Sequence, residues 1–284
     1  MTALGEDRES ARVLRAARTH LHFEQMGSGD NVLLIHGWTS SVRLWEDIAP
    51  VLAQHFRVTV VDLAGFGDSP LPDDFARNKH YILDVDTHSR ILLDFCDELG
   101  LRPCRVVSHS MGGMITLRMA LLRPDLFQRM VLIAPTVTGR IAFNANAFFG
   151  HPVGQFLSLR AEPLPRLLWS IAVSRWLIPM TMQPFYAREA SKQRHARDIQ
   201  RATWQAAVHG LVGISKVDLS PELGRIHQPA LIVIGAADVT VPPDEGRLAA
   251  RLLPNAQLVE YADAHHQPYE EYPDGLAQVI EFLQ

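Results

Sequence analysis

Short apolar segments alternate with longer segments of helical periodicity along most of this chain. The apolar segments lie at residues 20–24, 31–35, 57–62, 105–107, 130–134, 230–234 and 257–261, and the helical ones at 41–54, 81–99, 111–122, 244–253 and 274–283. The former predict β-strands and the latter α-helices. Strands that alternate with helices favour the α/β class, with a doubly wound, mostly parallel sheet whose site lies beyond the carboxyl ends of the strands.

The alternation stops between about residues 138 and 217, where the sequence has helical character and no clear strand. This segment is apolar up to residue 187 and densely charged from 188 to 201. We interpret it as a helical lid with an apolar part and a solvated part, inserted into a core of residues 1–137 and 218–284. Residues 1–18 have helical spacing and predict a short leader helix.

Ser110 lies where the apolar run 105–107 ends and the predicted helix 111–122 begins. The pattern of a small residue, any residue, Ser, any residue and Gly is typical of a nucleophile elbow, a sharp strand-to-helix turn that exposes the serine hydroxyl. Ser69 lies in a partly similar turn, but the following Pro70 has no N–H to stabilise an oxyanion. We therefore interpret Ser110 as the nucleophile and Ser69 as a structural turn residue.

A second strand-like run ends in His36-Gly37-Trp38. Acyl transfer needs two N–H donors for the developing oxyanion, one from the residue after the nucleophile and one from a neighbouring loop. The sequence therefore predicts an oxyanion hole made by the backbone amides of Met111 and Trp38.

An acid and a base follow later in the chain. Asp238 comes after the apolar run 230–234 and a small-residue turn, whereas the nearby Asp244 is better placed to cap a helix. His265 and His266 are adjacent at the end of the last predicted strand, and only one can be the base because consecutive side chains of an extended segment point in opposite directions. The order Ser, Asp, His is the one expected for such an elbow.

With these segments the chain resembles the α/β-hydrolase superfamily, in the serine-nucleophile branch with a helical cap, over about residues 20–284. Members commonly end in Gly-His-x-Pro-x-x-Glu-x-Pro. Setting Pro268, Glu271 and Pro273 against that pattern implies that His266 is the base and that His265 stands in place of glycine. Ser108 likewise replaces the first elbow glycine. His265 either lines the pocket or faces a loop.

Composition narrows the class of partner. Lys and Arg number 27 against 31 Asp and Glu, giving a net charge of -4 without a basic tract, so nucleic acid and charged membrane surfaces are not expected partners. No apolar run is long enough to span a membrane, and no metal-binding or phosphate-binding motif is present, so we expect no cofactor. The two cysteines, Cys96 and Cys104, are interpreted as reduced thiols of a cytoplasmic protein.

The predicted activity is hydrolysis of an ester or related acyl bond in a mainly hydrophobic small molecule, by the triad Ser110, His266 and Asp238. Candidate substrate contacts are Trp38, His109, Phe148, Trp169, Trp176 and Phe185. The same triad can also act on a carbon–carbon bond, form a peracid or transfer an acyl group. A different reading is a non-catalytic or slow-turnover ligand-binding member of the fold. The sequence leaves the oligomeric state open.

Overall fold

One mixed sheet organises the protein in a computed structural model that describes residues 12–78, 80–141, 145–160, 163–172, 188–272 and 274–284. Its strands are β1 (Arg12–Arg15), β2 (His22–Met26), β3 (Asn31–Ile35), β4 (Arg57–Val61), β5 (Cys104–His109), β6 (Phe127–Ile133), β7 (Ala230–Gly235) and β8 (Ala256–Tyr261). They lie in the order β1-β2-β4-β3-β5-β6-β7-β8. The pairs β1/β2 and β2/β4 are antiparallel, and all other neighbours are parallel.

Helices cover both faces of the sheet. They are α1 (Ala49–Leu52), α2 (Asp73–Arg77), α3 (Val85–Glu98), α4 (Met111–Leu122), α5 (Ala145–Phe149), α6 (Pro152–Arg160), α7 (Leu164–Ala172), α8 (Glu189–Arg201), α9 (Trp204–Lys216), α10 (Pro243–Leu252), α11 (Pro268–Glu271) and α12 (Gly275–Leu283). Within the described residues, no helix has the length and apolar character needed to cross a membrane.

The central strands are apolar on both faces because each face packs against helices. In β3, Leu33 and Ile35 join the core beneath α3, α4 and α10, whereas Val32 and Leu34 join the core beneath α1 and α12. Strands buried on both sides therefore appear in the sequence as continuous apolar runs. The predicted α/β class and mostly parallel sheet are confirmed.

Two local predictions are wrong. The predicted leader helix over 1–18 is replaced at residues 12–15 by the edge strand β1, which pairs with β2, while residues 1–11 lie outside the described part. Four residues are too few for periodicity to separate helix from strand, and the partner strand decides. The single helix predicted over 41–54 is instead a 3-10 turn at Val42–Trp45 followed by α1.

Helices α5 to α9 all lie between β6 and β7, as expected for an insertion, although its boundaries at 138 and 217 stay a prediction. Its charged part is solvated on one face of α8 only, where Arg197 and Arg201 are exposed. Arg194 and Asp198 of α8 are buried, because side chains of the core pair with them. The prediction of a solvated part therefore holds for one face of α8, whereas the opposite face is buried.

Candidate active site

Ser110 occupies a strained turn between β5 and α4. Its backbone has φ 56° and ψ −119°, a conformation that non-glycine residues rarely adopt. The Ser110 N–H donates to the Ile133 carbonyl at 2.9 Å, and the Ser110 carbonyl accepts from the Gly113 N–H at 2.9 Å. The neighbouring strand and the new helix thus hold the turn on both sides. Such strain at a serine is typical of a functional position.

Small residues around Ser110 let neighbouring backbones approach. A Cβ atom added at Gly112 would lie 2.5 Å from the His36 carbonyl oxygen and 2.7 Å from that of Ile35. The elbow therefore requires glycine at this position. Ser108, in place of the other elbow glycine, is fully buried, and its hydroxyl has no hydrogen-bond partner among the described residues. A hydroxymethyl group fits there without distorting β5.

Asp238 and His266 are buried together beyond the ends of β7 and β8. The His266 Nδ1 lies 2.7 Å from the Asp238 Oδ2, and Asp238 Oδ1 accepts the backbone N–H groups of Thr240 at 2.7 Å and Val241 at 3.1 Å. These two backbone hydrogen bonds orient the Asp238 carboxylate towards the His266 ring. Since Nδ1 donates to the carboxylate, the His266 Nε2 is left to accept a proton.

His109 links the elbow to this pair. Its ring centroid lies 4.5 Å from that of His266, and its Nε2 donates to the His266 carbonyl oxygen at 2.9 Å. Burial holds the pKa of His109 well below its usual value, so this ring stays neutral and supports the His266 segment. Ser110 and His266 share no direct hydrogen bond in the described structure. Catalytic hydrogen bonds often tighten only when substrate binds.

The loop after β3 lies directly against Ser110. A Cβ atom added at Gly37 would be 3.0 Å from the Ser110 Cβ, and the Trp38 indole N–H anchors the loop by donating to the Ala207 carbonyl of α9 at 2.8 Å. Within the described residues, the backbone N–H groups of Trp38 and Met111 have no hydrogen-bond partner. Two unused donors therefore flank the serine, as an oxyanion requires.

His36 and Asp62 organise the turns beneath the site. His36 Nδ1 donates to the Gly37 carbonyl at 2.7 Å and its Nε2 accepts the Leu63 N–H at 2.9 Å. The Asp62 carboxylate accepts the N–H groups of Val42 at 2.7 Å and Asp68 at 2.8 Å. The apolar run of β4 does not by itself reveal this role of Asp62, although a carboxylate directly after a buried strand is a signal.

Among the described residues, the Asp62 carboxylate also belongs to a cluster of potential metal ligands. Its other members are His22 and Asp68. His22 Nδ1 lies 2.7 Å from Asp62 Oδ2, which also accepts the Asp68 N–H. Hydrogen bonds thus already occupy the Asp62 oxygens. We interpret this group as a turn-stabilising network.

Two residues with ambiguous roles in the sequence have clear partners here. The His265 backbone N–H donates to Glu271 Oε1 at 2.8 Å, and its Nδ1 lies 3.1 Å from Glu271 Oε2, so His265 faces its own loop. The Ser69 hydroxyl donates to the Asp62 carbonyl at 2.8 Å and accepts the His22 N–H at 2.9 Å. Ser69 is buried and structural, as predicted.

The predicted substrate contacts are distributed unevenly. The Trp169 ring lies 6.3 Å from that of Trp38, edge to face, and thus borders the loop beside Ser110. Phe148 packs edge-on against Phe149 and is 50% exposed, and no described contact joins it to the catalytic groups. Trp176 and Phe185 lie outside the described residues.

A family profile described as the alpha/beta hydrolase fold matches residues 30–273, which include Ser110, Asp238 and His266. The chain belongs to the α/β-hydrolase family. Curated proteins similar to this chain include a pimeloyl-(acyl-carrier protein) methyl ester esterase of Aeromonas hydrophila, 27% identical over 91% of this chain and 96% of that protein. A protein of the same name from Nitrosomonas europaea is 29% identical over 93% of this chain and 99% of its own length.

Solved structures show the same α/β-hydrolase fold. A hydrolase from Pseudomonas aeruginosa superposes with a TM-score of 0.74 at 21% identity, over 98% of this chain and 99% of its own. The family profile and the esterase names of the curated relatives together show that this α/β-hydrolase is an enzyme of the serine-esterase type.

Proposed function

We propose that Ser110, His266 and Asp238 are the catalytic triad of this esterase, with the amides of Trp38 and Met111 as its oxyanion hole. The observation that carries the proposal is the 2.7 Å bond between His266 Nδ1 and the preorganised Asp238 carboxylate, beside a serine in a strained strand-to-helix turn. Asp238 selects the tautomer in which the His266 Nε2 is a base. Sequence motifs support the same three residues.

The proposed reaction follows from these roles. His266 removes the proton of Ser110 as the hydroxyl attacks the ester carbonyl, and the Trp38 and Met111 amides stabilise the oxyanion. His266 then gives the proton to the leaving alcohol, and an acyl-enzyme remains. The same imidazole activates water, which releases the acid and restores Ser110. Asp238 stabilises the imidazolium in both half-reactions.

The proposed substrate is a small, mainly hydrophobic ester. Trp38 and Trp169 support this choice, because their rings border the loop that contacts Ser110. The curated relatives are named for a methyl ester of an acyl group, which is consistent with an acyl chain as the apolar part. The predicted cytoplasmic location is supported by Cys96 and Cys104, which are buried and unpaired.

The proposal predicts that Ser110→Ala lowers ester turnover by about 10⁴–10⁶-fold, the usual scale for loss of a triad nucleophile, while the melting temperature stays near that of wild type. A fluorophosphonate should label Ser110, located by peptide mass spectrometry. The matched variant Ser69→Ala removes the other turn serine and should keep both the label and turnover. An aryl-ester series of rising acyl length measures the apolar preference.

Several outcomes would contradict parts of this proposal. A label at any residue other than Ser110 would overturn the triad. Labelling of Ser110 without ester turnover would contradict the ester assignment and favour carbon–carbon cleavage, peracid formation, acyl transfer or ligand binding. A preference for acetyl esters would overturn the hydrophobic acyl pocket.

A further inference from the structure

The segment that carries His266 continues directly into α11. Gln267 follows His266, α11 begins at Pro268, and Glu270 lies within this short helix. With its amide nitrogen facing Glu270, the Gln267 side chain donates to both carboxylate oxygens, at 2.8 and 2.9 Å. Gln267 is 3% exposed and the Glu270 side chain 4%. The Glu270 carboxylate is therefore a buried acceptor that holds the residue next to the proposed base.

Helix α8 of the insertion supplies further partners of this carboxylate. The Arg194 guanidinium donates to Glu270 Oε1, and the Ser191 hydroxyl donates to Glu270 Oε2. The Arg194 side chain is only 5% exposed, so the ion pair forms away from solvent. Charge-assisted hydrogen bonds are shorter and stronger than neutral ones, and they add geometric specificity. Helix α8 thus fixes Glu270, and with it the segment after His266.

Helix α8 also binds the loop after β3, which supplies one of the proposed oxyanion amides. A second nitrogen of Arg194 donates to Glu46 at 2.5 Å, in the segment that continues this loop. One turn further along α8, the buried Asp198 carboxylate accepts the Ser41 hydroxyl at 2.9 Å and the Arg43 Nε–H at 3.0 Å. The helix is therefore bound both to the loop after β3 and to the base segment.

Aromatic contacts connect the same two segments to His266. The Trp45 ring stacks on the Tyr269 ring of α11, with 6.0 Å between their centroids, and Tyr269 packs edge-on against His109 at 6.3 Å. His109 in turn donates to the His266 carbonyl oxygen at 2.9 Å. A displacement of α11 would therefore be transmitted to the catalytic imidazole.

We propose that Arg194 is a positioning residue of this esterase, which holds the His266 segment in place beside Ser110 through Glu270 and Gln267. This inference rests on the proposed function of Ser110 and His266 and adds a residue outside the triad. The planar guanidinium binds carboxylates of two separate segments at once, which neither an ammonium nor an apolar side chain reproduces. A displacement of about 1 Å at a catalytic group can lower turnover by about 10²-fold.

Three variants test positioning against a purely structural role. Arg194→Met removes the guanidinium and should lower kcat by about 10-fold to 100-fold with KM within about twofold, because the base is displaced while the substrate pocket remains. Arg194→Lys keeps a cation for Glu270 without the planar fork, so its kcat should lie between those of wild type and Arg194→Met.

The third variant separates geometry from stability. Arg194→Met combined with Glu270→Met replaces the buried ion pair by apolar side chains and should recover stability relative to Arg194→Met. Its kcat should stay low, because no carboxylate then holds Gln267 beside His266. If Arg194→Met does not fold, this variant and Arg194→Lys are compared directly with wild type.

The measurements keep turnover separate from folding. Hydrolysis of p-nitrophenyl butanoate gives KM and kcat, and kcat is expressed per site labelled by a fluorophosphonate at completion, which removes any loss of folded protein. Urea denaturation of each variant reports stability. The matched control Arg197→Gln changes an exposed arginine of the same helix and should keep kcat and KM within about twofold of wild type.

A kcat that falls in Arg194→Met, stays low in the double methionine variant and is partly restored in Arg194→Lys supports the inference. It is overturned if kcat recovers together with stability in the double variant, if Arg194→Lys has no higher kcat than Arg194→Met, or if only KM changes. A kcat of Arg194→Met within about twofold of wild type also overturns it. If the fluorophosphonate does not label Ser110 in wild type, the proposed function itself fails.

Discussion

The apolar helices α6 and α7 and the charged helix α8 of the insertion differ in an unexpected way. Several apolar side chains of α6 and α7 are exposed, whereas two charged side chains of α8 are buried. Helices α6 and α7 are apolar, yet Phe156 is 63% exposed and Leu167 is 57% exposed. Helix α8 is highly charged, yet Arg194 and Asp198 are almost fully buried. The apolar residues of α7 that face outwards recur with helical spacing, at Leu164, Leu167, Leu168 and Ile171.

Partners explain the difference. Arg194 and Asp198 meet carboxylate, hydroxyl and guanidinium groups supplied by loops of the sheet, so their burial leaves no unpaired charge. Helix α7 meets the rest of the protein through the opposite side of its surface, where Trp169 borders Trp38. Among the described residues, the charged helix α8 is thus bound to the loop after Trp38 through Ser41 and to the segment after His266 through Glu270.

The largest expected effect comes from removing the buried cation. Arg194→Met should lower the free energy of unfolding by about 3 kcal/mol, because Glu270 is left buried without its counter-ion. Urea denaturation monitored by fluorescence measures the change. In the apolar part, the matched exposed variant Arg166→Met should change stability by less than about 0.5 kcal/mol.

A second variant distinguishes charge burial from lost packing. Arg194→Met combined with Glu270→Met removes both charges and should recover at least about half of the loss, as replaced buried ion pairs often do. Equal losses in Arg194→Met and Arg166→Met would show that α8 is no more firmly held than α7.

A smaller effect should appear in the pH dependence of stability. Below about pH 6.5 the unfolded chain protonates His195, whereas the folded protein does so only near its pKa of about 3. Between these values the unfolded state binds more protons, so stability falls as the pH falls. From about pH 7.5 to about pH 5, wild type should lose about 1 kcal/mol more than His195→Gln, allowing for partial exposure. Melts at both pH values measure it, and His151→Gln should behave like wild type.

The smallest effect is expected on the outer face of α7. Leu167→Gln with Leu168→Gln should change the free energy of unfolding by less than about 0.5 kcal/mol, since both side chains already lie largely in solvent. Ile199→Gln in α8 is the buried counterpart and should cost at least about 2 kcal/mol. Thermal unfolding of the two variants compares the parts directly. A large decrease in the free energy of unfolding of the double leucine variant would mean that this face of α7 is not exposed to solvent.

Much of the fold was predictable because its signals are local. Runs of apolar residues in β3 to β7 and the pattern around Ser110 depend on neighbours a few positions apart. The strand β1 was missed because only pairing with β2 distinguishes it from a helix. The role of α8 was missed for a related reason, since Glu270, Ser41 and Arg43 are distant in the chain and become its partners only after folding.

The sequence by itself determined the α/β class, the turn at Ser110 and the residues proposed as acid and base, because glycine spacing and apolar periodicity constrain the backbone directly. Only the tertiary structure decided that His265 pairs with Glu271 and that Arg194 and Asp198 of the charged helix are buried. Burial of a charge depends on which partners the fold brings to it, and no local pattern of residues contains that information.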